Sequence, residues 1–245
     1  MIIYEDTKDI IKKDRKLIRF LGITLLVQAV TSLIGGSIFL GPFDSSEITD
    51  ITLRSISDSS GIAYISILLQ IITAVVIIML GVTMYRAAGH INKTIAITAL
   101  SLYIFEATFL GVGQVFVFGL VEVSNLYSAS PDTNLIAIGK VFLACKEFVG
   151  QINMIPFGIG AVLFYYLLLK AMVIPKWLAL WGIITAPFIL IGCTLMAFGI
   201  AAPVILLVPY VPFEFFTGIY ILVKNQKKLD VWLLEQSKIK GNMSI

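Results

Sequence analysis

Apolar runs of membrane length fill most of this sequence, and they constrain its fold more than any other feature. A helix needs about 20 consecutive apolar residues to cross the hydrocarbon core of a bilayer. Six such runs alternate with shorter charged or polar segments. We therefore predict an all-α fold, a polytopic membrane helix bundle with six transmembrane helices at about residues 17–41, 62–85, 94–120, 149–169, 177–199 and 203–223.

Composition supports one membrane domain rather than a soluble one. The chain is 58% hydrophobic and 13% charged, whereas soluble domains carry about 25% charged residues. We expect a single membrane domain over residues 1–245, with charged tails at 1–16 and 225–245. The first apolar run is too long for the core of a signal peptide, so we expect it to remain as a transmembrane helix.

The basic residues predict the orientation of the helices. Fifteen of the eighteen lysines and arginines lie in the N-terminal segment, in the loops after the second and fourth runs, or in the C-terminal tail. The exceptions are Arg54, Lys140 and Lys146. Because cytoplasmic loops are enriched in lysine and arginine, we expect a multi-pass protein of the cell membrane with both termini in the cytoplasm.

Several classes of function are disfavoured by the residue types present. The single histidine, His90, and two isolated cysteines, Cys145 and Cys193, give no metal-ligand spacing. We therefore expect no metal site, no cofactor and no serine–histidine catalysis. Nucleic acid is not an expected partner, because the basic residues cluster at the membrane ends rather than on one folded basic face.

Two segments outside the predicted spans also have a helical pattern. Asp44 followed three positions later by Glu47 is typical of an N-cap and predicts a short helix. We expect three of its residues to rest on the bilayer surface, namely Ile48, Ile51 and Ile56. Residues 135–148 are expected to form an amphipathic extension ahead of the fourth span, which should bend at Pro156.

The last apolar run, from Pro209 to Lys224, contains a single carboxylate, Glu214. An isolated ionised carboxylate in hydrocarbon is costly, so it should pair, stay protonated or face water. Two prolines at the start of the run should each remove a helix hydrogen bond, freeing the carbonyls of Ile205 and Val208. Irregular backbone at membrane depth needs cover from protein or a wet cavity, so we expect this stretch to face the bundle interior.

Helical rise predicts two polar layers across the bundle. Counted from the nearest basic end, Glu106 lies about 20 Å deep, Glu214 about 15 Å and Gln28 about 14 Å. Tyr103 and Tyr210 lie at helical reach of the two acids, and with them complete the candidate intramembrane polar site. A second, outer layer falls at about 24 to 29 Å or slightly farther and contains Gln70, Gln114, Gln151 and Asn153.

Glu106 and Glu214 allow two interpretations. No lysine or arginine is available deep in the membrane to pair with either acid, and burial then favours the protonated form. Each can be a neutral acid that only hydrogen-bonds to a freed carbonyl or a tyrosine. Alternatively, the two can share a proton and mark a pathway, as intramembrane acids often do.

Several segments resemble the DUF4386 family of membrane proteins. They are Val173-Ile-Pro-Lys-Trp-Leu-Ala-Leu-Trp-Gly182, Pro212-Phe-Glu214, Ile221-Leu-Val-Lys224 and Tyr103-Ile-Phe-Glu106. The resemblance implies six spans, an acidic residue in the third and a glutamate in the last. Asn225 departs from the glycine that is more usual after the lysine. The family carries no reaction that could be transferred to this chain.

Three classes of function follow from these patterns. The first is a small transporter or proton-coupled carrier that uses the intramembrane glutamates. The alternative is a non-enzymatic membrane scaffold or sensor that binds a lipid or a protein partner. An enzyme is disfavoured because no catalytic motif is present. Membrane lipid is an expected partner, a small-molecule substrate stays unidentified, and a homo-oligomer stays open.

Overall fold

The protein folds into helices throughout the described part of the chain, in agreement with the predicted all-α class. The computed structural model describes residues 2–43, 47–206 and 208–223, with side chains for 15–36, 47–203, 205–206 and 208–223. The helices, in chain order, are α1 (Ile2–Phe43), α2 (Asp50–Asp58), α3 (Ser60–Ala88), α4 (Lys93–Ala129), α5 (Thr133–Lys170), α6 (Lys176–Ala197) and α7 (Tyr210–Val223), with a 3-10 turn at Val204–Leu206.

Five of these helices are long and apolar enough to cross a membrane. The segments are Arg15–Gly36, Ser60–Ala88, Lys93–Ala129, Thr133–Lys170 and Lys176–Ala197. The prediction of a polytopic helix bundle is therefore confirmed. The sixth predicted span differs, because α7 has only 14 residues and measures about 21 Å, against a hydrocarbon core of about 30 Å.

The start of α7 explains this difference. Pro209 lies in a turn ahead of the helix, and Pro212 lies in its first turn. Proline is tolerated there because the first turn has no intrahelical partner for its missing N–H. The expectation that both prolines interrupt a longer helix was therefore wrong: they open a short one.

The membrane helices form a closed ring. Each of α1, α3, α4, α5 and α6 packs against the next in chain order, and α7 closes the ring by packing on α6 and α1. Glycines permit both closing contacts. A Cβ on Gly218 would lie 2.6 Å from Leu26 Cγ, and one on Gly182 would collide with the rings of Phe213 and Tyr165. The main apolar core fills this ring.

A second, smaller core lies at the end of the bundle opposite the basic loops. There α4 and α5 continue past the membrane-length segments that were predicted and pack against α2. This outer cap, as we call α2 with the adjoining ends of α3, α4 and α5, corrects two expectations. Ile48 and Ile56 are buried in it and only Ile51 is exposed, so α2 rests on protein rather than on the bilayer. The N-terminus of α2 is capped by Thr49, whose side chain accepts a hydrogen bond from the Thr52 N–H.

The predicted boundaries shift in two further places. Residues 135–148 continue directly into the fourth predicted span, because α5 is one helix that contains Pro156 in its interior. Likewise, α1 runs without interruption from Ile2 through the segment expected as a tail. The expected N-cap at Asp44 and the C-terminal tail lie outside the described residues.

Candidate functional site

Glu106 on α4 and Glu214 on α7 both lie in the interior of the ring, where the charge of Glu214 acts on Glu106. Glu106 is 4% exposed, and its Oε2 atom has no hydrogen-bond partner. Glu214 is partly buried. The two acids lie on helices that are remote in sequence, and one of them, Glu106, lacks a partner for a buried polar atom.

Three tyrosines surround the acid pair. The Tyr210 hydroxyl lies within hydrogen-bonding reach of both the Glu214 carboxyl group and the Tyr165 hydroxyl. Tyr103 lies one turn before Glu106 on α4 and interacts with both acids and with Tyr165. The sequence analysis singled out Tyr103 and Tyr210 but did not include Tyr165. The sequence signal for Tyr165 was its helical spacing from three residues that are buried on the same face of α5, namely Phe157, Ala161 and Leu168.

A chain of aromatic rings holds these tyrosines in place across four helices. Tyr165 packs edge-on against Phe213, with ring centroids 4.7 Å apart, and Tyr210 packs edge-on against Phe157 at 5.2 Å. Phe213 also contacts the Trp181 ring at 5.7 Å. Edge-to-face contacts of this kind fix ring orientation as well as burying area, so the hydroxyl groups are held by rigid neighbours.

Positive charge is absent from the pair's surroundings in the described part of the chain. No described lysine or arginine contributes to the electrostatics of Glu106 or Glu214. The buried apolar core around the acids also contains the three tyrosines and Cys193 on α6, and Tyr85 and Tyr220 pack against it. A buried carboxyl group without a cation is more stable as the neutral acid than as the anion. The pair is therefore suited to holding a proton.

Gln28 lies at the level of the acid pair. Leu26 on α1 packs against Gly218 on the antiparallel helix α7. Gln28 lies two residues after Leu26 and Glu214 lies four residues before Gly218, so their depths differ by about half a helical turn. Gln28 is 7% exposed and continues the buried stripe of Ile18, Leu21 and Leu25 that faces the core. Its Oε1 atom has no hydrogen-bond partner.

Asn153 lies about one turn farther from the basic end. Gly160 on α5 faces Tyr103 on α4. The two helices are antiparallel, so Glu106, which lies three residues after Tyr103, is at about the level of Pro156, which lies four residues before Gly160. Asn153 is then about 4.5 Å farther along α5. It is 4% exposed, and its Oδ1 atom also has no partner.

The other residues of the predicted outer layer do not form one network with Asn153. Gln70 donates from Nε2 to the Ser32 carbonyl at 3.4 Å, across the α1–α3 interface. Gln114 donates within its own helix, to the Leu110 carbonyl at 3.3 Å. Gln151 is partly buried. No hydrogen bond joins these described side chains to each other, so the layer is divided between separate interfaces.

The bundle is packed differently on the two sides of the acid pair. Towards the basic ends of the helices, the ring is filled with almost fully buried apolar side chains, among them Leu21, Leu25, Met84, Phe164, Leu168, Leu178 and Ile221. Towards the outer cap, α7 is missing from the ring. The Trp181 indole donates to the Pro209 carbonyl at 3.2 Å, and α6 continues to Ala197 beyond that level.

On the outer side, no α-helix of the described residues joins α1 to α6. In the described residues, α1 and α6 do not approach one another, and α7 is what joins them on the inner side. On the outer side, residues 198–206 return along α6 without forming an α-helix. Several of their side chains are well exposed, including Phe198, Ile200 and Ile205.

A family model for DUF4386, described as a domain of unknown function, matches residues 20–225. The chain belongs to the DUF4386 family. The match extends from the first membrane helix to just beyond α7 and includes every residue of the acid and tyrosine cluster. No curated protein and no solved structure matches the chain.

Metal binding finds no support in this DUF4386 bundle. The described residues contain no group of three or more histidine, cysteine, aspartate or glutamate side chains that could hold a metal ion. What the cluster offers is a coupled pair of carboxyl groups, hydroxyl groups and unpartnered acceptor oxygens. Such a site can exchange protons and bind hydrogen-bond donors.

Proposed function

We propose that this protein is a proton-coupled carrier of a small solute and that the Glu106–Glu214 pair holds the coupled proton. The observation that carries the proposal is the placement of two carboxyl groups in one aromatic core, with an unpartnered Glu106 oxygen and no cation acting on either acid in the described chain. Intramembrane acids arranged in this way commonly mark proton and substrate pathways.

Coupling follows from the electrostatics of the pair. Two nearby carboxyl groups repel each other when both are ionised, so binding of one proton stabilises the pair. A solute that brings positive charge or donates hydrogen bonds replaces that proton. Binding of solute and binding of proton then compete for the same oxygens, which is the requirement for exchange of one against the other.

The interrupted sixth span supports a route to the pair. Carriers often bind their substrates where a membrane helix is discontinuous near the bilayer midplane. Non-helical backbone at membrane depth has to be covered by protein or to line a water-filled cavity. The non-helical segment ahead of α7 and the space between α1 and α6 are therefore proposed to form a wet vestibule that leads from the outer cap to Glu214.

The apolar inner half of the ring completes the proposal. Its buried side chains separate the acid pair from the basic ends of the helices, which we assign to the cytoplasm on the distribution of lysine and arginine. The described conformation would then be open outwards and closed inwards. We also propose that the protein resides in the cell membrane, with lipid covering its exposed apolar faces.

The experiment is a flux assay in proteoliposomes loaded with a pH-sensitive dye. A panel of small amines, neutral amino acids, sugars and carboxylates is added outside, and the dye response is compared with that of protein-free liposomes. We expect at least one solute to give a protein-dependent response that Glu106→Gln and Glu214→Gln both abolish. Glu122→Gln is the matched control, because Glu122 lies on α4 but in the outer cap, bonded to Tyr64.

Two outcomes would overturn the proposal. The first is a response that survives in both acid variants, since the pair would then not hold the coupled proton. The second is an absence of any protein-dependent response together with capture of a specific lipid or protein partner, which would favour a scaffold or sensor.

Orientation is tested by labelling cysteines with a membrane-impermeant reagent in intact cells. Ser130 and Ile91 are suitable positions because both are exposed, in the loops after α4 and α3 respectively. We expect Ser130→Cys to be labelled from outside and Ile91→Cys to be protected until the cells are opened. The reverse pattern would invert the proposed orientation.

A further inference from the structure

We infer that the acid pair is part of a binding site for a small protonated amine, formed by Glu106, Glu214, Gln28 and Asn153 together with the surrounding tyrosines. The inference rests on the proposed function in treating the pair as the working centre, and it names the chemical class of solute.

The charge of the site selects a cation. Two carboxyl groups lie in the interior of the same ring, and no described cation acts on either. An anionic solute would meet like charge and no compensating group. A cation of charge +1 would be attracted once one of the acids is ionised, and it would stabilise the ionised form by its proximity.

The unpartnered atoms select a hydrogen-bond donor among cations. Glu106 Oε2, Gln28 Oε1 and Asn153 Oδ1 are buried oxygens without a hydrogen-bond partner. Buried polar atoms are nearly always bonded, so such atoms indicate an absent partner. They lie on three different helices, at or just beyond the level of the acid pair. A primary ammonium group has three N–H donors and no acceptor, and it therefore complements acceptor oxygens presented at similar depth by several helices.

The aromatic rings limit the size of the solute and favour positive charge. Phe157 and Tyr210 are in edge-on contact at 5.2 Å, and Tyr103 contacts Phe164 at 5.9 Å, so the space between α4, α5 and α7 is narrow. Aromatic faces also attract ammonium groups. A compact primary amine suits this site better than a sugar or a bulky cation.

Asn153 supports entry from the outer side. It lies on the same face of α5 as Phe157, one turn farther towards the outer cap. Phe157 packs on Tyr210, the first residue of α7, so Asn153 lies where α7 no longer contributes to the ring. An ammonium group passing the start of α7 would meet this amide oxygen before reaching the acids.

The test uses methylammonium chloride as the probe and the thermal unfolding midpoint of the full chain in detergent as the measurement. Tetramethylammonium chloride and sodium chloride are compared at the same concentration and pH. The three salts separate N–H donation from charge and from ionic strength, because tetramethylammonium has the charge without any N–H group.

We expect methylammonium to raise the midpoint by about 3 °C or more at saturation, the scale for a ligand that binds only the folded state. The other two salts should produce little change. Glu106→Gln and Asn153→Leu should each lose most of the methylammonium effect, whereas Glu122→Gln should keep it. If Glu106→Gln does not fold, Glu214→Gln and Gln28→Leu provide the same comparison.

Equal shifts with all three salts, no shift with methylammonium, or a full shift in the Glu106 and Asn153 variants would overturn the inference. These outcomes are separable from failure of the proposed carrier. A specific methylammonium shift without any dye response would leave an amine-binding protein that does not transport. A dye response to other solutes without a methylammonium shift would leave a carrier for a different class of solute.

Discussion

The outer cap and the central acid pair both lie between helices, but their polar groups differ: most are hydrogen-bonded in the cap, whereas several lack a partner at the centre. In the outer cap, Tyr64 donates to Glu122 at 2.8 Å and Ser57 donates to Asn125 at 3.0 Å. The Arg54 guanidinium lies over the Tyr127 ring at 5.5 Å. The Ser128 hydroxyl is the exception, because it is buried without a partner.

At the centre, by contrast, buried oxygens on α1, α4 and α5 have no partner. An unsatisfied buried polar group destabilises a protein by about 1 to 3 kcal/mol. Hydrogen-bonded polar groups stabilise a fold, whereas buried polar groups without a hydrogen-bond partner destabilise it and suggest a role other than stability. The outer cap therefore fits a structural role, whereas the central oxygens are available to the proposed site.

The largest loss of stability is expected from Phe213→Ala. Phe213 is fully buried and packs against Tyr165, Trp181 and Tyr210. Its removal should destabilise the protein by about 3 to 5 kcal/mol, as measured by unfolding in detergent. Phe105→Ala is the matched control, because Phe105 also precedes a glutamate but is half exposed. An equal loss in both variants would show that the central ring does not depend on this contact.

A somewhat smaller loss should follow from Leu53→Ala in the outer cap. Leu53 is fully buried among residues of α2, α4 and α5, and truncation of such a side chain costs about 2 to 5 kcal/mol. We expect solute flux per folded molecule to be unchanged, because no residue of the acid pair is touched. Reduced flux in the folded variant would remove the distinction between the two regions.

Glu122→Gln should weaken the outer cap only slightly. It replaces a charge-assisted hydrogen bond from Tyr64 with a neutral one, so the expected destabilisation is about 1 kcal/mol or less. Tyr64→Phe removes the same bond from the other side, and the two changes combined should cost less than the sum of the separate effects. Simple additivity would mean that the pair does not interact in solution.

The smallest change in stability is expected from Glu106→Gln, although its effect on function should be the largest. The amide is similar in size and neutral, so neither a cavity nor a buried charge is created. It cannot release a proton in the accessible range, so proton-coupled flux should be lost. Thermal unfolding and the dye assay measure the two effects. A strong loss of stability would instead assign Glu106 a structural role.

The sequence predicted the bundle well because its signal depends on bilayer thickness alone. Apolar length located five spans, and helical rise set Glu106 and Glu214 at similar depths in the bundle. The start of α7 could not be read in this way. Whether Pro209 and Pro212 kink a helix or open one depends on the packing of Trp181 against the turn, and sequence spacing carries no such information.

Side-chain direction was the other missing quantity. Gln70, Gln151 and Asn153 fall at similar depths along their helices, but only the neighbours of each helix decide which of them share an interface. Likewise, the sequence did not show how far α4 and α5 extend beyond the membrane. The packing of α2 on α4 depends on this extension, and Ile48 and Ile56 were therefore expected on the bilayer. Tyr165 was missed for the same reason: its position on the face of α5 became meaningful only once α7 was packed against that face.

The coupling of the two acids is tested most directly by infrared spectroscopy of the carbonyl band of protonated carboxyl groups, recorded across a pH titration of the purified protein. The band should contain a component that disappears in Glu106→Gln. In Glu214→Gln the Glu106 component should titrate over a different pH range from that of the native protein, because each carboxyl group senses the charge of the other. Glu122→Gln should leave that component unchanged. If Glu106 titrates identically with and without the Glu214 carboxyl group, the two acids act independently, and the proposed proton-holding pair does not exist.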